Sequence, residues 1–105
     1  MSVLLVLTNL PDRPAADKLA ETLVRERLAA CVNILAPCRS VYRWQGALQN
    51  DDEIPLLAKT TTERYAALES AIRSNHPYEL PEIIAVPVAC GLAAYLAWVD
   101  AETRH

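Results

Sequence analysis

Few side chains in this 105-residue chain are both reactive in type and spaced for joint chemistry. His76, Tyr78 and Glu82 are the closest approach to such a group. An imidazole and a carboxylate together could hold a divalent cation or act as a general acid and base. His76 also precedes Pro77 at an expected helix end, where an imidazole favours the negative end of the dipole and can cap carbonyls. It is the only internal histidine, so a complete metal shell would draw on another subunit or on water. Lys59 stands before Thr60, Thr61 and Thr62 where a helix should begin, a setting that can receive an anion or a carboxylate. A salt bridge from Lys59 to Glu82 or Glu53 is the competing outcome. Asp51-Asp52-Glu53 could take a hard cation, but a calcium loop needs more ligands and a turn that glycine allows. Pairing with Arg39 and Arg43 across a hairpin is the expected use of these carboxylates.

Cys31, Cys38 and Cys90 form an odd set without a Cys-x-x-Cys pair, which reads as reduced thiols in the cytosol. Cys31 and Cys38 are seven positions apart, which puts them on opposite strand faces unless a bulge at Pro37 resets the alternation. Cys31 suits core packing. No glycine-rich phosphate loop, Ser-His-Asp set or metalloprotease motif occurs, so the sequence offers no support for an enzyme. The net charge is -3, with Arg and Lys dispersed along the chain, which argues against a nucleic-acid partner. The apolar opening, Val3 to Leu7, is too short for a signal peptide or a membrane span. The expected location is therefore the cytoplasm, with no membrane partner.

The elements that must position these residues follow from changes in apolar period. Val3–Leu7 is an unbroken apolar run, as in a strand covered on both faces. Asp12 then offers an N-cap with Pro14 in the first turn, and Ala16, Leu19, Ala20, Leu23, Val24 and Leu28 keep helical spacing. The stretch from Leu28 to Leu35 leads into a second strand, which is interrupted by Pro37 and resumes over Ser40–Trp44. Gln45-Gly46 supplies a hairpin turn, and a third strand runs from Ala47 to about Thr60 with Pro55 inside it. Glu63–Ser74 is a second helix, capped by Thr61 or Thr62 and stopped by Asn75-His76-Pro77. Ile83–Val86 is a fourth strand, which Pro87 places near an edge or bend. Gly91 opens a last helix with Leu92, Tyr95, Leu96 and Val99 on one face.

This order predicts one α+β domain over residues 1–105, a β-α-β-β-α-β ferredoxin-like unit with an added C-terminal helix. The strands should make one antiparallel sheet with both long helices on one face. Each hairpin arm spans about 13 residues, on the order of 40 Å at ~3.3 Å per residue. A chain of this length has a radius of gyration near ~13 Å, so the hairpin must bend or overhang. Its tip carries Tyr42, Trp44 and Leu48. An isolated ribbon is marginal in water and its edges seek partners, so a second copy of the chain is the expected partner.

Several separate blocks then invite recognition. Leu28-Ala29-Ala30-Cys31-Val32-Asn33-Ile34, Ser40-Val41-Tyr42-Arg43-Trp44-Gln45-Gly46, Leu57-Ala58-Lys59-Thr60-Thr61 and His76-Pro77-Tyr78-Glu79-Leu80-Pro81-Glu82-Ile83, with Gly91, Tyr95 and Trp98 after them, resemble the CutA family in order and spacing. The resemblance covers nearly the whole chain. It implies a ferredoxin-like fold, a tight homotrimer formed by strand pairing between subunits, and a role in tolerance of divalent cations, chiefly copper. It also implies copper ligands at a cysteine, a histidine and a glutamate, and the matching positions here hold Thr8, Asn75 with His76 next to it, and Glu82. Copper or another divalent cation is thus the implied cofactor, with His76 and Glu82 as the available ligands. Lys59, Tyr78, Trp44 and Trp98 lie in or beside the matched blocks and are expected to line clefts between subunits. A trimeric sensor of small molecules or anions is the alternative expectation, on fold-level analogy and on Lys59.

Overall fold

A computed structural model describes residues 2–104 of the chain. The elements run β1 (Val3–Leu10), α1 (Arg13–Arg25), β2 (Cys31–Ile34), β3 (Cys38–Trp44), β4 (Ala47–Thr61), α2 (Tyr65–Asn75), β5 (Ile84–Pro87) and α3 (Ala93–Glu102). All pairings are antiparallel, in the order β2-β4-β1-β5, with β3 also on β4. This is the expected ferredoxin-like sheet, with its second strand in two pieces. Both long helices lie on one face, over a core of Leu4, Val6, Leu10, Leu19, Leu23, Ile54, Leu56, Ala58, Leu68 and Ile72.

The break in the second strand has a countable cause. Ile34 pairs with Leu56 and Cys38 with Glu53, so four steps along one strand oppose three along the other. The extra residue falls within Leu35-Ala36-Pro37, where a bulge spares the ladder the donor that Pro37 lacks. The alternation is thereby reset. Cys31 and Cys38 stand opposite Lys59 and Glu53, two odd-numbered residues of an uninterrupted strand, and so share a face.

Several local signals act as expected. Asp12 Oδ1 accepts the Ala15 N–H at 2.9 Å, with proline in the first turn of α1. Gln45 and Gly46 both take positive φ, 50° and 80°, the backbone of a two-residue type I′ hairpin turn. β5 pairs only with β1 and is an edge strand. Two expectations are corrected. The second strand starts at Cys31, because Leu28 and Ala29 are spent in the turn that leaves α1, their N–H groups donating to the Leu23 carbonyl, and the Ala30 N–H makes the first bond to β4, at the Lys59 carbonyl. Neither Thr61 nor Thr62 caps α2: Thr61 is the last residue of β4, and the cap position is Arg64, without a side-chain capping bond.

The hairpin does overhang. β1 stops pairing with β4 at Leu10–Ile54, so Ala47 to Glu53 are held by β3 alone. The body measures 44 × 26 × 23 Å, and its radius of gyration is 14.2 Å, slightly above the ~13 Å typical of this length. The sheet face away from α1 and α2 is only partly covered. α3 crosses one end, where Val99 packs with Val3 and Ala30. Ile84 and Val86 of the edge strand remain 51% and 48% exposed, next to half-buried Leu5 and Leu7.

Candidate functional site

Asn9 ties the first group of candidate residues together. It is the last residue but one of β1, on the open side of the sheet and one position beyond Thr8, which is buried on the helix side. The Asn9 amide Nδ2 donates to Glu82 Oε1 at 3.2 Å, and its carbonyl accepts the His76 Nε2 proton at 2.6 Å. The other imidazole nitrogen, Nδ1, accepts the Tyr78 backbone N–H at 3.2 Å. A carbonyl can only accept and a backbone N–H can only donate, so His76 is the neutral tautomer with its proton on Nε2. Both ring nitrogens are occupied. His76 is the C-cap residue of α2, and it fastens that helix end to the end of β1 instead of capping the helix carbonyls.

This geometry bears on the metal ligands implied by the sequence. A cation needs the lone pair that His76 now gives to the Tyr78 N–H, and Glu82 is engaged by Asn9. Thr8, at the position of the implied cysteine, turns into the core, where its hydroxyl has no hydrogen-bond partner. No group of three or more His, Cys, Asp or Glu among the described residues is close enough to hold a metal ion. The residues present in one copy do not fit a resident metal.

Beyond this junction lies an open cleft of about 1000 Å³, lined by Tyr42, Trp44, Glu53, Tyr78 and Glu82 among others. The overhanging ribbon forms one wall and the Pro77–Leu80 segment the other. Tyr42 donates its hydroxyl to Asp51 Oδ2. That bond, then slight burial and the neighbouring carboxylates, raises the Tyr42 pKa. Burial, followed by a hydrogen bond to Glu53, raises the Tyr78 pKa strongly. Tyr78 also leans on His76, with ring centroids 4.7 Å apart. Glu53 is buried here, and neither Arg39 nor Arg43 reaches it. The expected pairing across the hairpin does not form: Arg39 stands opposite Asp52, yet its Nε donates to Asn50 Oδ1 at 2.6 Å. Arg25 pairs instead with Glu21 within α1, and Arg104, just past the end of α3, pairs with Asp100.

Lys59 and Trp98 belong to a second region, on the open face beneath α3. Lys59 is in the body of β4, opposite Cys31, and not at a helix start. Its ammonium donates to Asn33 Oδ1 and lies 3.8 Å from Cys31 Sγ. It makes a salt bridge to neither Glu82 nor Glu53. Tyr95 sits above this group; burial, then the charge and hydrogen bonding of Cys31, raises its pKa. The Tyr95 and Trp98 rings are 5.5 Å apart. Within one copy, therefore, Trp44 and Tyr78 share one region and Lys59 and Trp98 another.

Asn9, Asn33 and Tyr95 escaped the reading of the sequence. The last two carried a signal that went unused: Asn33 shares the parity of Cys31, and Tyr95 is one helical turn before Trp98. Asn9 had none, because its role depends on α2 and the following segment folding back to it.

The fold and these two regions define a ferredoxin-like α+β protein with an overhanging hairpin and an open sheet face. Residues 4–102 match the CutA1 divalent ion tolerance protein family, and the chain belongs to that family. It is 46% identical over 98 residues to the divalent-cation tolerance protein CutA of Thermus thermophilus, covering 93% of this chain and 95% of that one. Among solved structures it superimposes on CutA from Xylella fastidiosa with a TM-score of 0.96 at 43% identity, covering 99% and 100% of the two chains. The Thermus thermophilus Cut A1 structure gives a TM-score of 0.95 at 44% identity, over 97% of this chain and 99% of that one.

Proposed function

We propose that this chain is a cytoplasmic homotrimer that serves divalent-cation tolerance as a binding protein and not as an enzyme. One observation carries the reading: the open sheet face and the overhanging ribbon leave apolar surface and strand edges that one copy cannot cover. A closed ring of copies covers them without leaving an edge. The three cysteines are free, as a reducing compartment requires. No helix among the described residues is long and apolar enough to cross a membrane.

Copper is the cation that an imidazole and a carboxylate suit best, and His76 with Glu82 is the pair available to it. Binding there costs the Tyr78 N–H bond, so affinity should be weak and should depend on water or a neighbouring copy for further ligands. Sedimentation equilibrium tests the assembly, with a species of three times 11.6 kDa expected at micromolar concentration. A folded monomer there would refute the trimer. Titration with Cu(II) while tryptophan fluorescence is followed tests the metal, and no change up to millimolar copper removes it.

A second reading rests on Lys59, an ammonium without a carboxylate partner among the described residues, beside Tyr95 and Trp98. It makes the protein a trimeric sensor of small molecules or anions. Thermal stabilisation by a nucleotide or a carboxylate, but not by copper, distinguishes that role.

A further inference from the structure

Lys59 is the single cation on the strands β1, β2, β4 and β5. It stands in register between Cys31 of β2 and Leu5 of β1, and all three are half-buried. Taking such a charge partly out of water is costly unless it is paired. Lys59 has no carboxylate partner among the described residues. Its ammonium donates to Asn33 Oδ1 and, at 3.8 Å, to Cys31 Sγ. An ammonium has three N–H groups, so one is unspent. The Asn33 amide nitrogen adds two more donors and has no partner among the described residues. Acceptors are already in use: Asn33 Oδ1 by Lys59, and Cys31 Sγ by Lys59 and the Tyr95 hydroxyl. What the group has left to offer is positive charge and N–H donors.

The surroundings narrow the ligand. β4 is paired on both sides here, so its backbone N–H groups are spent in the ladders, and no helix begins at Lys59. A phosphate draws on several cations or on a helix N-terminus, and the group holds neither. One ammonium with one amide matches a single negative charge. Beside them Tyr95 and Trp98, 40% and 43% exposed with ring centroids 5.5 Å apart, provide an apolar platform.

We propose that Lys59 and Asn33 bind the carboxylate of a small organic monoanion, with Tyr95 and Trp98 against its apolar body. This rests on the second reading above and deepens it, naming the ligand class and setting nucleotides aside. The site lies toward the β2 edge of the sheet, opposite the apolar edge strand β5. A ligand can therefore enter beside α3 while another copy covers the β5 side of the face.

Benzoate is the probe, with benzamide as its neutral isostere and ATP and inorganic phosphate as polyanionic comparisons. Isothermal titration of the full chain should show benzoate binding near the millimolar range, weakened at least about tenfold in Lys59→Met, which keeps the side-chain length and removes the charge. Asn33→Leu should weaken it by a smaller factor, and it carries the test if circular dichroism shows Lys59→Met misfolded. Cys31 supplies a local readout. Saturating benzoate should slow its alkylation by iodoacetamide severalfold, read by mass spectrometry, and leave exposed Cys90 unchanged. Benzamide binding as well as benzoate, or benzoate binding unchanged in both variants, overturns the proposal, because the ammonium then plays no part. Binding of ATP or phosphate that depends on Lys59, without benzoate binding, overturns the carboxylate assignment and keeps the sensor reading. Binding of none of the four overturns both.

Discussion

His76 shows how a residue suited to ligation can be committed to architecture. Its two ring nitrogens bridge Asn9 and Tyr78, which lie 67 positions before it and two after it. Removing the ring by His76→Ala leaves the Asn9 carbonyl and the Tyr78 N–H without partners, and should cost about 1–3 kcal/mol in urea unfolding. Thr8 is the opposite case, a buried hydroxyl with no partner. Thr8→Val keeps the shape and removes the unsatisfied group, so it should raise stability by about 1 kcal/mol. A loss would show that the hydroxyl is satisfied in solution. Tyr78 carries the pH dependence. Its pKa is raised above the ordinary 10.0, first by burial and then by Glu53, so folding favours its neutral form. That contribution is complete below pH ~10 and is lost as pH rises through the raised value. Tyr78→Phe should therefore flatten the alkaline limb of a stability profile above pH 10, while costing about 1 kcal/mol at neutral pH through the lost bond to Glu53.

At the scale of elements, the hairpin decides most of what is distinctive. Its turn depends on Gly46, whose φ of 80° is strained for any residue with a Cβ. A Cβ there would meet nothing within 4 Å, so Gly46→Ala isolates the backbone cost. It should destabilise the protein by about 1 kcal/mol without changing its packing, as read by denaturant unfolding. The sequence announced this turn because only two glycines occur and one falls between two β-like runs. It also announced a bulge or bend at Pro37. It did not say which face Cys31, Asn33 and Lys59 would share, because that depends on how many residues the bulge absorbs. The miscast helix cap has a similar origin. Thr60, Thr61 and Thr62 look like capping residues in sequence, but Thr60 Oγ1 donates to the Leu28 carbonyl at 2.7 Å and Thr61 pairs with Val3. Sheet pairing outweighed the local preference, as tertiary context commonly does.

At the scale of the molecule, one copy leaves apolar surface and strand edges uncovered, which is what the proposed assembly would bury. Apolar side chains on the far face of β5 and on α3 stay wet in one copy, and the ribbon has a single sheet neighbour. Val86, half-exposed on the edge strand, reports on that surface with little risk to the fold. Val86→Lys should leave the circular dichroism spectrum unchanged and weaken self-association by at least about tenfold in sedimentation, because it sets an unpaired charge in an apolar contact. An unchanged association constant would place the contact elsewhere on the molecule.

The residues alone determined the element order, the two amphipathic faces and the turn at Gly46, because apolar period, caps and turn chemistry act over a few neighbouring positions. Family membership was legible too, since it rests on blocks in register along the chain. Tertiary structure decided the fate of the functional candidates. Whether His76 keeps a lone pair, whether Lys59 meets a carboxylate, and which of Trp44, Tyr78 and Trp98 come together all depend on residues distant in sequence. Side-chain bonding is a matter of angstroms, and only the folded sheet fixes distances to that accuracy.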